Sequence, residues 1–304
     1  MNNDIPNKQN ESLQIERLRA QRAMYGTAKR FFLWQVMLTV VGTIAVTLLV
    51  KWKTDLQCYA GVYAVTVALL NELVISQRIR CLKNLAARTQ ELFDVDVLSL
   101  SWNSLLVGSK PDAEDITRYS LIYKPRHVND GELRDWYQPN IGTVNLCVAR
   151  LICQRSNVSY DGTLRQRYIV VLWWIFPIIM IGCTFVALFG DLSLRQFLLG
   201  MVVPVFPAVL FFVREITAQQ EARKGLERLT HCLKAAWERV LAGNFTEHEL
   251  TEEARNLQVG IFLFRSTCPL IPDWLYQWLR SDGGTHMICT VEHLLRELDA
   301  AMRK

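Results

Sequence analysis

The chain has 304 residues, is 51% hydrophobic yet 21% charged, and carries a formal net charge of +5. So mild an excess of Lys and Arg, with no recognised nucleic-acid motif, excludes a nucleic-acid polymer as the partner. The eight cysteines form no Cys-x-x-Cys pair and scatter over apolar and polar stretches alike, the pattern of reduced thiols rather than of a disulfide framework.

Residues 1–12 are polar and read as disordered. From Ser12 a helical pattern sets in, with Ile15, Leu18 and Tyr25 near helical spacing and Arg17, Arg19, Arg22, Lys29 and Arg30 around them. This basic amphipathic lead-in, residues 1–30, suits an anionic leaflet, a neighbouring subunit, or a solvated juxtamembrane position. It runs without a breaker into Phe31–Val50, an apolar run with no charged side chain and one polar amide, Gln35. A bilayer core is about 30 Å thick, and a helix rising about 1.5 Å per residue needs ~20 apolar residues to cross it. The run is therefore a membrane span, too long and too far from the start to be a cleaved signal peptide. The five-residue turn 51–55 permits only a helical hairpin. A second span, from Leu56 to about Ile75, then returns to the starting side, and residues 31–75 form a first hairpin.

Residues 76–167 read as a soluble insertion. Helix continues through Ser76–Glu91, Leu92–Trp102 serves as a connector with packing anchors, and Pro111-Asp112 opens a short helix through Tyr123. Ile141, Val144, Val148 and Leu151 form a buried helical stripe reaching Gln154. The third span is Tyr168–Phe189 and the fourth roughly Leu194–Val213, so that 168–213 form a second hairpin around Gly190-Asp191. In the remaining region, 214–304, Ala222, Leu226, Leu229, Leu233, Ala236 and Val240 alternate like a short coiled-coil seam. That seam suits packing inside one subunit and self-assembly equally. Thr246–Glu249 is a capping box with Phe245 and Leu250 as its staple. No strand run interrupts this order. The expected fold is all-α: a polytopic membrane protein with four transmembrane helices in two hairpins plus a helical cytoplasmic domain. Lys and Arg cluster on the lead-in, the insertion and the tail, which places both termini in the cytoplasm and the two short turns outside.

Motifs that carry chemistry are scarce. There is no phosphate-binding Gly loop, no His-Glu-x-x-His, no nucleophile elbow and no cofactor motif, so neither catalysis nor a cofactor is expected. His127 reads as a lone surface histidine. His286, Cys289 and His293 share one face of the last helix, a weak metal candidate without an evident fourth ligand. Asn71 and Glu72 lie at the inner end of the second span, where Glu72 either lines a cation pathway or snorkels beside Arg78. Pro177, Gly200, Pro204 and Pro207 interrupt the last hairpin as gating bends or as static kinks. Arg150, Arg155, Arg165 and Arg167 precede the third span and suit either an anionic nucleotide or lipid phosphates, or plain positive-inside anchoring.

Several segments resemble a known family. They are Leu18–Tyr25 with Ala28-Lys29, Leu92–Asp94 with Trp102, Trp136-Tyr137, and above all Ala149–Asn157 running to Tyr160-Asp161 and Leu164-Arg165. In these, with the two-plus-two arrangement of spans, the chain from about residue 13 to at least 240 is similar to the SMODS-associating four-transmembrane effectors. These are bacterial proteins found beside nucleotidyltransferases of the cyclic-oligonucleotide type in antiphage defence. The resemblance implies a pore-forming effector of the inner membrane. It would be triggered by a cyclic nucleotide second messenger from a partner synthase, and would assemble as a homo-oligomer to arrest growth. A membrane-anchored enzyme and a non-catalytic scaffold or receptor are the alternatives. No segment beyond Ala242 carries the resemblance.

Overall fold

The computed structural model describes residues 3–123, 130–188, 194–198, 202–273 and 290–303. Among them every regular element is helical. A single turn, α1 (Ile5–Lys8), precedes α2 (Ser12–Val50), and α3 (Cys58–Val97) follows a tight turn. Next come α4 (Ser104–Val107) and α5 (Ala113–Tyr123). After them run α6 (Leu146–Leu188), the short α7 (Leu194–Phe197), α8 (Val203–Leu241), α9 (Glu247–Thr267) and α10 (290–302).

By length and apolarity α2, α3 and α6 can each cross a membrane. Their apolar stretches point large side chains outward, among them Trp34, Leu48, Val62, Trp174 and Ile178, as lipid-facing surfaces do. Helix is obligatory there, since lipid offers no partner to an open N–H or C=O. The fourth apolar run, 194–213, falls partly outside the described residues, as does the turn at Gly190-Asp191. Its described end is the first turns of α8.

None of these helices stops at the end of its apolar run. α2 brings its polar first half out of the bilayer, α3 and α8 continue past their spans, and α6 begins well before its own. These extensions pack as a helical body around one large core that includes Leu18, Phe93, Tyr137, Leu151, Leu233, Leu250 and Leu294. The seam on α8 is spent inside the subunit: Ala222, Leu226, Leu233, Ala236 and Val240 are buried, and α8 packs on α6 and α9. α8 ends in a Schellman motif. Gly243 takes a positive φ of 66°, and Asn244 N–H donates to the Arg239 carbonyl at 3.1 Å. The capping box opens α9, with Glu249 N–H donating to the Thr246 hydroxyl and Thr246 N–H to the Glu249 carboxylate.

Three expectations need correction. The N-terminus is ordered from Asn3, because α1 docks on the body. Ile5 is buried, Asn3 donates to the Ile141 and Val144 carbonyls, and Gln9 exchanges two hydrogen bonds with the Tyr137 backbone. The lead-in helix is not free in solvent. It packs on α3 and α5, and four of its five cations pair inside the chain: Arg17 with Asp96, Arg19 with Asp130, Arg22 with Glu132, and Lys29 with Asp273, while Arg30 donates to the Thr27 hydroxyl. Residues 92–97 are the buried last turns of α3 rather than a connector.

A buried polar network ties α3 to α9. Asp94 pairs with Arg265 and accepts from Tyr137 and Gln258, while Glu91 accepts from Arg255 at 3.0 Å and Gln258 at 2.8 Å. Burial opposes the Arg265 charge, yet the Asp94 carboxylate outweighs it and raises the guanidinium pKa; burial pushes the Glu91 carboxyl up despite its donors. In the first hairpin the opposing helices approach closely. Met37–Gly42 is a π-helical segment of α2, and Tyr63 of α3 donates its hydroxyl to the Leu38 carbonyl at 2.7 Å. A Cβ on Gly42 would lie 1.9 Å from that hydroxyl.

Three stability outcomes follow from these contacts, all read as thermal unfolding of the purified chain in detergent. Asp94→Asn leaves the buried Arg265 guanidinium without its counter-charge and lowers stability by about 3–5 kcal/mol; an unchanged midpoint would contradict the network. Gly42→Ala forces Tyr63 away and costs about 1–3 kcal/mol. By contrast Gly61→Ala, which meets nothing within 4 Å, is neutral or stabilising by up to about 1 kcal/mol.

Candidate functional site: a basic groove between two membrane-continuous helices

The body holds a groove of about 800 Å³ walled by α6, α8 and α10. Its volume is within the roughly 300–1,000 Å³ range of small-molecule sites. α6 contributes Arg155, Ser159, Gly162 and Gln166; α8 contributes Arg223, Glu227, Thr230 and Lys234; α10 contributes Thr290, Glu292, His293 and Arg296. The helical period explains the set. On α6, positions 155, 159, 162 and 166 recur at spacings of four and three, so one stripe faces the groove along about three turns.

The charges are unequally committed. Arg223 is paired to Glu227 at 2.9 Å and Arg296 to Glu292 at 3.2 Å, each along its own helix. Lys234 forms no ion pair among the described residues. Arg155 is half-buried, and its Nη1 is shielded from solvent with no hydrogen-bond partner among the described residues. Burial pulls its pKa down, partly offset by the field of Glu297. Glu297 is itself engaged by Trp237 Nε1 at 2.9 Å and by His293 at 3.2 Å. A shielded guanidinium with an unmet donor, beside further cations in a concave wall, is suited to an anion with several oxygen acceptors.

The four arginines before the third span diverge. Only Arg155 lines the groove. Arg150 is buried, donating to the Leu98 and Ser99 carbonyls and to Thr251, so it fastens α6 to the end of α3 and to α9. Arg165 is buried where the helices leave the membrane. It pairs with Asp161 at 2.9 Å and donates to Gln219, to the Pro269 carbonyl and to the Cys268 sulfur. There Lys83 of α3 donates to the Thr267 and Cys268 carbonyls, so two cations meet the negative end of α9. Burial lowers the Lys83 pKa. Arg167 is half-buried and does not line the groove. That arginines so near in sequence split between anchoring and lining follows from helical phase; the burial of Arg150 was not readable without knowing what packs on α6.

Of the membrane candidates, Asn71 lies in a second π-helical segment, Asn71–Ile75, with its Oδ1 buried and unpartnered among the described residues. Glu72 is exposed and 3.8 Å from Arg214 of α8, which links α3 to α8; Arg78 is not the partner found. Pro177 sits inside α6 on its exposed side, Pro204 is buried in the first turn of α8, and Pro207 lies inside α8. Gly200 lies outside the described residues, as do His127, His286 and Cys289. His293 is exposed, and no group of three metal-ligating side chains occurs among the described residues.

With this geometry in view, the comparisons are specific. The SMODS-associating 4TM effector domain matches residues 3–294. A protein of Bacillus cereus (strain VD146) described as a probable CBASS effector molecule is 25% identical over 281 residues, covering 90% of this chain and 92% of its own. No solved structure matches. Arg155 and the helices that wall the groove up to Leu294 fall inside the matched region, and the chain belongs to the SMODS-associating four-transmembrane effector family.

Proposed function

We propose that the chain is the membrane effector of a bacterial antiphage system of the cyclic-oligonucleotide type. In this reading a nucleotide second messenger, made by a partner nucleotidyltransferase, enters the basic groove. The pore opens in the inner membrane, both termini lie in the cytoplasm, and subunits assemble as a homo-oligomer to halt growth. The Bacillus cereus relative, a probable CBASS effector, supports the setting.

One observation carries the mechanism. The groove lies between the stretches of α6 and α8 that continue unbroken into the third and fourth spans. A polyanion drawn between Arg155 on α6 and Lys234 on α8 changes the spacing of two rods, and the rods carry that change into the bilayer. Interior packing resists continuous deformation, so such a shift resolves into two discrete arrangements rather than a gradual one. Pro177 and Pro207, each lacking the N–H that would bind the carbonyl four residues back, are where the rods bend most readily. The buried carboxylates are already engaged, Glu91 by Arg255, Asp94 by Arg265 and Glu215 by Gln219, which favours a non-catalytic effector over a membrane-anchored enzyme.

Liposomes holding the purified chain test this with a panel of cyclic di- and trinucleotides. At least one member releases entrapped dye and potassium, whereas silence with every member would contradict the reading. Arg155→Glu weakens binding by about tenfold to a hundredfold, since a hydrogen bond to a charged group is worth ~1.5–3 kcal/mol. Arg223→Ala changes it less, that cation already having a partner. Equal binding by Arg155→Glu and the wild type would remove the groove from the account.

A further inference from the structure

The first span carries the inference. Between residues 33 and 49 of α2 four side chains are buried: Thr39 at 3% exposure, Val40, Thr43 at 0% and Thr47 at 9%. All three threonines of the span therefore face inward, while Leu33, Trp34, Met37, Val41, Leu48 and Leu49 face outward. The buried face packs against α8, where Val40 meets a cluster containing Ala208 and Phe212.

The hydroxyls are oriented. Thr43 donates to the Thr39 carbonyl at 2.6 Å and Thr47 to the Thr43 carbonyl at 2.8 Å. Each proton is thus directed back along the helix, and the oxygen lone pairs are left for the seam. Thr39 differs: its Oγ1 is buried and has no hydrogen-bond partner among the described residues. An unmet hydroxyl in an apolar bilayer interior is unfavourable, and a water or a cation in the seam would meet it.

We propose that Thr39, Thr43 and Thr47 line a cation-preferring permeation path along the seam between α2 and α8. This rests on the pore reading above. It assigns the wall to the first span, Phe31–Val50, which carries no charged side chain, with the proline-bearing helices moving against it. A ladder of oxygens with lone pairs turned inward replaces part of a cation's hydration shell and offers an anion far less. When α8 is drawn aside by events at the groove, the face it uncovers is this hydroxyl row.

The test is planar-bilayer recording of the full chain under a KCl gradient, with the cyclic nucleotide panel as trigger and K⁺ and Cl⁻ as the probed ions. Wild type is expected to prefer K⁺. The variant Thr39→Val, Thr43→Val, Thr47→Val keeps side-chain shape, and should lower K⁺ conductance about tenfold and bring the K⁺/Cl⁻ preference towards unity. Thr184→Val, which removes a similarly back-bonded but exposed hydroxyl of α6, should leave both unchanged. Thr43→Ser alone keeps an oxygen and should retain selectivity, which separates loss of lining from loss of folding. A conducting triple variant with wild-type selectivity would overturn the assignment while the pore stands. A wild type that never conducts would overturn the pore reading itself.

Discussion

The structure depends on helical continuity across the membrane boundary. Lipid forces each span to satisfy its backbone within its own helix, and α2, α3 and α6 keep that helix going on the polar side instead of breaking into loops. The body is therefore built from the same rods that cross the bilayer, and it cannot rearrange without moving them. Apolar burial supplies the bulk of its cohesion, in a core drawn from α2, α3, α6, α8, α9 and α10. The paired charges do something narrower. Asp94–Arg265 and Glu91–Arg255 join α3 to α9, and Arg165 and Lys83 clamp the end of α9 where the rods enter the membrane.

That division of labour locates the part that is free to change. α3 and α9 are locked by the buried charges, and α2 is stapled to the body by ion pairs from Arg17, Arg19 and Arg22. Between α6 and α8 there is instead an open groove with an unmet guanidinium donor. A ligand gains most where a donor is unsatisfied, and here that donor lies on α6 facing α8, a helix pair also packed together through Leu164, Tyr168 and Phe212. The first hairpin is the stiffer one, held by the Tyr63 hydroxyl on Leu38 and by the close approach at Gly42.

Much of this was legible in the residues. The apolar runs located the spans of α2, α3 and α6, and Thr246–Glu249 was read correctly as a cap because it is a local pattern; the Ala222–Val240 seam was legible as an apolar stripe, but its period alone left packing within one subunit and self-assembly equally open. What escaped was non-local or off-period. Asp94 and Arg265 are 171 residues apart, and nothing near either one announces the other. α1 looked like a polar tail because its anchors are one apolar residue, Ile5, and two amides, Asn3 and Gln9, whose partners lie beyond residue 136. The π-helical segments break the 3.6-residue period on which a helix is recognised. The threonines of the first span were passed over because, inside an apolar run, a hydroxyl reads as nearly neutral until its facing is known.

The central claim is that the groove and the membrane segments of α6 and α8 move as one. Spin–spin distances in the full chain in lipid test it, with one label pair across the groove at Gln166 and Glu227 and another on the spans at Trp174 and Phe206. These side chains are all exposed. The account predicts that a nucleotide that alters the first distance alters the second in the same sample and at the same ligand concentration. A groove that closes on ligand while the Trp174–Phe206 distance stays fixed would contradict it.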